Sequence, residues 1–324
     1  MTTAKRSGAA DVALRLSGVH KRYRDVIAVD GISLEVAVGE LVSLLGPNGA
    51  GKSTLMDLMA GVLRPDAGEI SVMGHALALA PMAARAALGV VPQDIALYPD
   101  LSAIENLRFW GRMYGLEGAR LERRTRELLD LVGLTERRRD RVDTYSGGMK
   151  RRLNIAAALL HEPAAILLDE PTVGIDPQSR RAILDYVKAL NADGATVIYT
   201  THYMEEAAEL SDRIAILDHG RIIALGTHEE LTAIVGEHDR ITLELTDATP
   251  DAAPAFVDVP GVQRVSEHDG SLELLAADGA TLLPALFARA AERGVGVRSV
   301  TLHRPDLESV FLHLTGRALR DGRS

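Results

Sequence analysis

Apolar and polar positions alternate at the start of the chain. VALRLS from Val12 and ISLEV from Ile32 repeat with a period of two, as strands with one buried face do. The next run differs. ELVSLLG, from Glu40, is apolar almost throughout and suits a strand covered on both faces. Asp30-Gly31 and Val38-Gly39 supply turn chemistry between these runs. Strand, loop and helix patterns then alternate to about Thr227, which predicts an α/β core on parallel strands. Residues 100–135 break the rhythm. Ser102 and Glu105 form a capping-box pattern, each side chain placed to satisfy an orphan amide of a first helical turn. IENLRFWGRMYG and TRELLDLVG read as helices. The expectation is an α/β domain over residues 11–235 with a helical subdomain, about 94–160, inserted in it.

A second pattern follows the shift at Val235 to Arg240. ITLEL, a Pro-bearing segment, GVQRVSE, SLELLAA, LLPALFARAAERG and VGVRSVTLH run in the order strand–helix–strand–strand–helix–strand, and LESVFLHLTG comes after them. That order is the split βαβ arrangement and predicts a small α+β domain over 240–316. Residues 1–10 are small and polar and are expected to be a disordered tail.

Composition narrows the function. The net charge of −9 argues against a nucleic-acid partner, which usually leaves a basic footprint. With no cysteine, disulfides and thiolate metal sites are excluded. No stretch reaches the 18 or so apolar residues of a membrane span, and the N-terminal residues lack the apolar core of a secretory signal. Any membrane role is expected to come through a partner.

Chemistry concentrates in three places. Gly46-Pro47-Asn48-Gly49-Ala50-Gly51-Lys52-Ser53-Thr54 fits G-x-x-x-x-G-K-[ST], between apolar LVSLL and helical TLMDLMAGVL. Its glycines let the backbone curl its amides around one anion, where the helix N-terminus adds partial positive charge. Lys52 is expected to reach the β- and γ-phosphates of ATP and Ser53 to ligate Mg²⁺. Downstream, AAILLDEPT ends an apolar run on Asp169 and Glu170. At the carboxyl end of a buried strand Asp169 suits the Mg²⁺ shell. Strand alternation would point Glu170 the other way, toward a water in line with the γ-phosphorus. Taken alone, the pair also reads as solvated charges capping a strand. Third, Ser146-Gly147-Gly148 leads into an Ala/Leu-rich helix, a second hydroxyl-and-amide cradle for an anion. Two cradles are consistent if the second serves a nucleotide held by another copy of the chain.

Over about residues 12–232 the sequence strongly resembles the nucleotide-binding subunits of ABC transporters, with the motifs in that family's order. The fold implied is a P-loop NTPase core with an inserted helical subdomain. The resemblance implies that Tyr23 stacks on adenine, that Gly46 to Thr54 are Walker A, and that Gln93 touches Mg²⁺ or the attacking water and senses the membrane partner. It implies that Ser146 to Met149 are the signature motif, that Ile166 to Asp169 are Walker B with Glu170 the catalytic carboxylate, and that Asp176 lies in the D-loop. It makes His202 the switch histidine on the γ-phosphate. The signature departs from the usual LSGGQ: it reads YSGGM, and Met149 lacks the polar contacts of glutamine. Such variants, and the terminal LESVFLHLTG, are similar to daunorubicin-resistance-type (type-2) export ATPases.

The implied protein is an exporter ATPase at the cytoplasmic face of the cell membrane, closing head-to-tail with a second copy and driving separate permease subunits. An importer ATPase, or a soluble non-transport ABC ATPase, is the alternative. Leu97 to Tyr114 is expected to dock the membrane subunit, with Phe109 and Trp110 either as anchors or as core of the helical subdomain.

Overall fold

The computed structural model describes residues 12–236, 238–246, 252–268 and 271–316; the tail expected over residues 1–10 lies outside them. The chain divides into two compact units, one running to His228 and one beginning at Glu229.

In the first unit the elements begin with β1 (Val12–Tyr23), β2 (Val26–Ala37), β3 (Leu41–Leu45), α1 (Lys52–Met59), β4 (Ala67–Val72), β5 (His75–Ala76), α2 (Pro81–Ala86) and β6 (Leu88–Val91). The helices α3 (Ala103–Met113), α4 (Gly118–Leu131) and α5 (Gly147–Ala158) follow. Then come β7 (Ala165–Asp169), α6 (Pro177–Ala192), β8 (Thr196–Thr201), α7 (Met204–Leu210), β9 (Arg213–Asp218) and β10 (Arg221–Gly226). One sheet is antiparallel, in the order β2-β1-β4-β5, and the other has the order β10-β9-β3-β8-β7-β6. The second is parallel except at its β10 edge.

Strand alternation decides which core each side chain enters. Leu167 of β7 and Ile198 of β8 point into a core shared with Leu14, Leu16, Val36 and Leu55, between the antiparallel sheet and the parallel one. Their neighbours Ile166, Leu168, Val197 and Tyr199 point the other way, into a core with Leu107, Leu128, Leu153 and Ile183 of the helices. β3, β7 and β8 are buried along their whole length, as the unbroken apolar runs require. The carboxyl ends of these three strands adjoin one another, since β3 and β7 both pair with β8.

The capping box predicted at Ser102 is present. The Ser102 hydroxyl accepts from the Glu105 amide, and the Glu105 carboxylate accepts from the Ser102 amide at 2.9 Å. On α3, Trp110 packs on the helical core while Phe109 meets Tyr98 edge-to-face, ring centres 4.7 Å apart.

The second unit begins in α8 (His228–Thr232), which starts at the boundary, and continues as β11 (Asp239–Leu245), α9 (Pro254–Val257), β12 (Val262–His268), β13 (Ser271–Ala276), α10 (Gly279–Arg293), β14 (Val297–His303) and α11 (Leu307–Thr315). Its sheet is antiparallel in the order β12-β13-β11-β14. β13 thus lies between β11 and β12, which is the split βαβ arrangement. Its core gathers Ile241, Leu243, Phe256, Leu272, Leu274 and Leu286.

Candidate functional site

β3 delivers the chain into the glycine-rich loop, and α1 begins at Lys52. The loop is fastened from outside: the Gly220 amide donates to the Ala50 carbonyl at 3.0 Å. Gly51 has φ +103°, and a Cβ there would stand 2.3 Å from the Ala28 carbonyl of β2. Only glycine suits both that conformation and that approach. The same contact brings the β1–β2 hairpin, which carries the half-exposed Tyr23, beside the loop. No side chain caps α1, so its first-turn amides are left for an anion. Lys52 is only 4% exposed and folds back along the loop, donating to the carbonyls of Gly46 at 2.7 Å and Pro47 at 3.1 Å.

The acidic pair meets this loop from β7. Asp169 is the last strand residue and accepts from the Thr200 hydroxyl at 2.6 Å. Burial raises its carboxyl above the usual range, against the lowering influence of the Thr200 and Ser53 hydroxyls, and the adjacent Glu170 charge adds to the rise. Asp169 in turn helps raise Asp57, where burial is the larger cause.

Glu170 corrects one expectation. It does not point away by strand alternation: the strand has ended, and Glu170 takes the left-handed conformation, φ +43°. Its amide donates to the Thr200 hydroxyl at 2.8 Å, which secures the turn. The turn aims the carboxylate at Lys52 Nζ, 3.1 Å away, and at His202 Nδ1, 3.6 Å away, both measured to the same oxygen. The His202 contact first, and then the Lys52 charge, hold the Glu170 carboxyl below the usual glutamate value against its burial. It is therefore ionised at neutral pH.

The remaining predicted residues are placed as follows. Gln93 is exposed two residues beyond β6, and Val91 of that strand pairs with Leu168 of β7. Ser146 is exposed, and its hydroxyl caps α5 by accepting from the Met149 amide at 3.3 Å. Gly147 and Gly148 are the first residues of α5. A Cβ on Gly148 would stand 2.5 Å from Ser179 Cβ of α6. Asp176 caps α6, accepting from the Ser179 amide at 2.9 Å, and that bond lowers its carboxyl below the usual range. Met149 is half-buried against the helical core.

Two contributors escaped the sequence reading. Thr200 holds both acidic residues through one hydroxyl. Arg151 of α5 is 4% exposed and donates to the carbonyls of Pro92, at 2.8 Å, and Gln93, at 2.5 Å, tying the Ser146 helix to the Gln93 loop. In sequence it is the middle of three cations, Lys150-Arg151-Arg152, and nothing there shows which one is buried.

Among the described residues no helix is long and apolar enough to cross a membrane. A family profile described as ABC transporter matches residues 29–173. The chain is 45% identical over 310 residues to the linearmycin resistance ATP-binding protein of Bacillus subtilis (strain 168), covering 95% of this chain and 100% of that one. It is 43% identical to a daunorubicin resistance ATP-binding protein of Streptomyces coeruleorubidus, with 95% and 97% covered. To the Nod factor export ATP-binding protein I of Ralstonia nicotianae it is 39% identical, with 95% of each chain covered. Among solved structures, an ATP-binding subunit of an ABC transporter matches at 33% identity and TM-score 0.63, over 68% of this chain and 92% of that one. A dimeric bacterial ABC transporter cassette matches at 29% identity and TM-score 0.61, over 66% and 98%. A nucleotide loop facing a buried carboxylate, carried by a chain so like these along nearly its whole length, belongs to the ABC transporter family, as an ATP-binding and ATP-hydrolysing subunit of an exporter.

Proposed function

We propose that the chain works as a head-to-tail pair at the cytoplasmic face of the membrane, each ATP lying between Gly46 to Thr54 of one copy and Ser146 to Gly148 of the other, and that closure drives separate permease subunits. The observation that carries the chemistry is the convergence of Lys52 and His202 on one Glu170 oxygen, at 3.1 and 3.6 Å. Support for pairing comes from the relatives, one of which is described as a dimeric cassette. Names that speak of export and resistance favour outward transport over import.

The roles follow from position. Lys52 and the loop amides neutralise the β- and γ-phosphates, Tyr23 stacks on adenine, Glu170 orients and polarises the attacking water, and His202 steadies the γ-phosphate. Ser53 lies in the first turn of α1 at the end of the glycine-rich loop, Asp169 ends β7, and both are hard oxygen donors. They fit Mg²⁺, with Gln93 alongside, and a buried carboxyl such as Asp169 gains most from a divalent cation. When bound, Mg²⁺ supplies charge neutralisation at the β- and γ-phosphate oxygens. Asp176 couples the two nucleotides through the start of α6. The half-buried face of α3, with Phe109 and Trp110, docks the permease, and the unit from Glu229 onward is an accessory domain.

Closure from mostly open to mostly closed needs about 5.5 kcal/mol, or roughly 2.8 kcal/mol per site. A hydrogen bond to a charged group supplies about 1.5–3 kcal/mol. One or two from Ser146 and the Gly148 amide to each γ-phosphate therefore suffice.

The test is Glu170→Gln. It should bind ATP, lose about 10²–10⁴-fold in kcat, and accumulate as a closed dimer on gel filtration with ATP. Ordinary turnover by this variant would remove Glu170 from the reaction.

A further inference from the structure

Behind Glu170 and His202 lies a buried acid that the proposed chemistry does not use. Glu206, in α7, is 3% exposed. One of its oxygens accepts from three hydroxyls: Tyr199 at 2.8 Å, Thr201 at 2.9 Å and Thr172 at 3.0 Å. An acceptor-only carboxylate is the group that three converging donors require. Such charge-assisted bonds are roughly twice as strong as neutral ones.

The donors belong to the segments that carry the reacting side chains. Thr172 stands two residues beyond Glu170, across Pro171, whose ring fixes φ and makes the link short and stiff. Thr201 directly precedes His202, and its hydroxyl also accepts from the Tyr203 amide at 2.9 Å, so it holds the chain on both sides of the histidine. The Tyr203 ring lies 4.1 Å from the His202 ring, and the Arg180 guanidinium lies over Tyr203 at 4.3 Å. The second Glu206 oxygen stands 3.7 Å from Arg180 Nε, on the helix that Asp176 caps. One carboxylate therefore joins the segment after Glu170, the strand before His202, and α6.

We propose that Glu206 is a positioning residue for hydrolysis: it keys the Glu170–Thr172 segment to the Thr201–Tyr203 segment, so that the carboxylate and the imidazole act on one γ-phosphate in a fixed register. It does not touch nucleotide, and the proposal rests on the roles given above to Glu170 and His202. Glu206→Gln keeps the shape and removes the charge. Thr201→Val keeps the volume and removes the hydroxyl.

The experiment measures ATP hydrolysis by the full chain, with its membrane subunits where turnover needs them, together with nucleotide affinity and thermal midpoint. Glu206→Gln should lower kcat about 10- to 100-fold, the scale of a small misplacement of reacting groups. KM for ATP and nucleotide affinity should stay within about twofold, since the P-loop is untouched. Thr172→Val, which removes the hydroxyl that reaches Glu206 from the Glu170 segment, should lower kcat in the same sense. Thr201→Val, which also loses the Tyr203 amide contact, should lower it at least as far. The Thr172→Val, Glu206→Gln double variant should fall short of the sum of its two single losses, because they share a contact. Unchanged kcat in folded Glu206→Gln would overturn the proposal. So would parallel losses of kcat, nucleotide affinity and thermal midpoint, which mark a merely structural acid. If Glu206→Gln does not fold, Thr172→Val decides: lowered kcat at unchanged affinity supports the proposal, and unchanged kcat overturns it. Glu170→Gln run alongside separates the two readings. Normal turnover there sinks the roles of Glu170 and His202, whereas a dead Glu170→Gln beside a normal Glu206→Gln sinks only this inference.

Discussion

The two glycine-rich turns that lead into helices make an instructive pair. Gly46 to Thr54 is drawn inward: Lys52 is buried along it, β2 closes on Gly51, and Glu170 faces it at salt-bridge distance. Ser146 and Gly147 face outward: both are exposed and the Ser146 hydroxyl caps its own helix, while Gly148 is buried against Ser179. Similar sequence chemistry, glycines before a helix N-terminus, gives one turn closed in by a lysine and a carboxylate of its own chain and one whose first two residues are exposed. The contrast fits the proposal of an ATP pocket shared between copies.

Substitutions in the two turns sharpen the contrast, beginning with the severest. Gly51→Ala places a Cβ against the Ala28 carbonyl in a conformation that costs an L-residue about 1–3 kcal/mol before any clash. Nucleotide affinity measured by equilibrium binding should fall about 100-fold or more, since each ~1.4 kcal/mol is tenfold. Gly148→Ala crowds Ser179 and shifts the start of α5 without touching the P-loop. Binding by the single chain should stay within about twofold while hydrolysis drops more than about tenfold. Equal losses of binding at the two glycines would dissolve the distinction. Ser146→Ala is the mildest for the fold: loss of the α5 cap should cost about 1 kcal/mol in denaturant unfolding, with nucleotide affinity of the single chain unaltered.

The P-loop, the strand ending on Asp169 and the Ser102 capping box were legible because each is written in contiguous residues whose local physics is decisive. The two-faced burial of β7 followed from its unbroken apolar run. What could not be read depends on neighbours distant in sequence. The left-handed turn at Glu170 is secured by Thr200, thirty residues on. Arg151 finds its carbonyl partners 58 and 59 residues earlier. Glu206 sits among polar residues of an acidic helix, and only the fold shows that it is buried beneath three hydroxyls while Glu205 beside it is exposed. β1 and β2 were visible as strands through their alternation, but their antiparallel pairing, and β4 joining β1 rather than the parallel sheet, are tertiary choices.

Mixing two inactive chains tests the shared pocket most directly. Lys52→Ala damages the inward turn, and Ser146→Arg blocks the outward one. In a head-to-tail pair made of one of each, both lesions fall in one pocket and the other is intact. Each variant alone should be inactive, and the mixture should regain about a quarter of the wild-type rate per chain, if assembly is random and the pockets fire independently. A mixture as inactive as its parts, with mixed dimers demonstrated, would contradict the account.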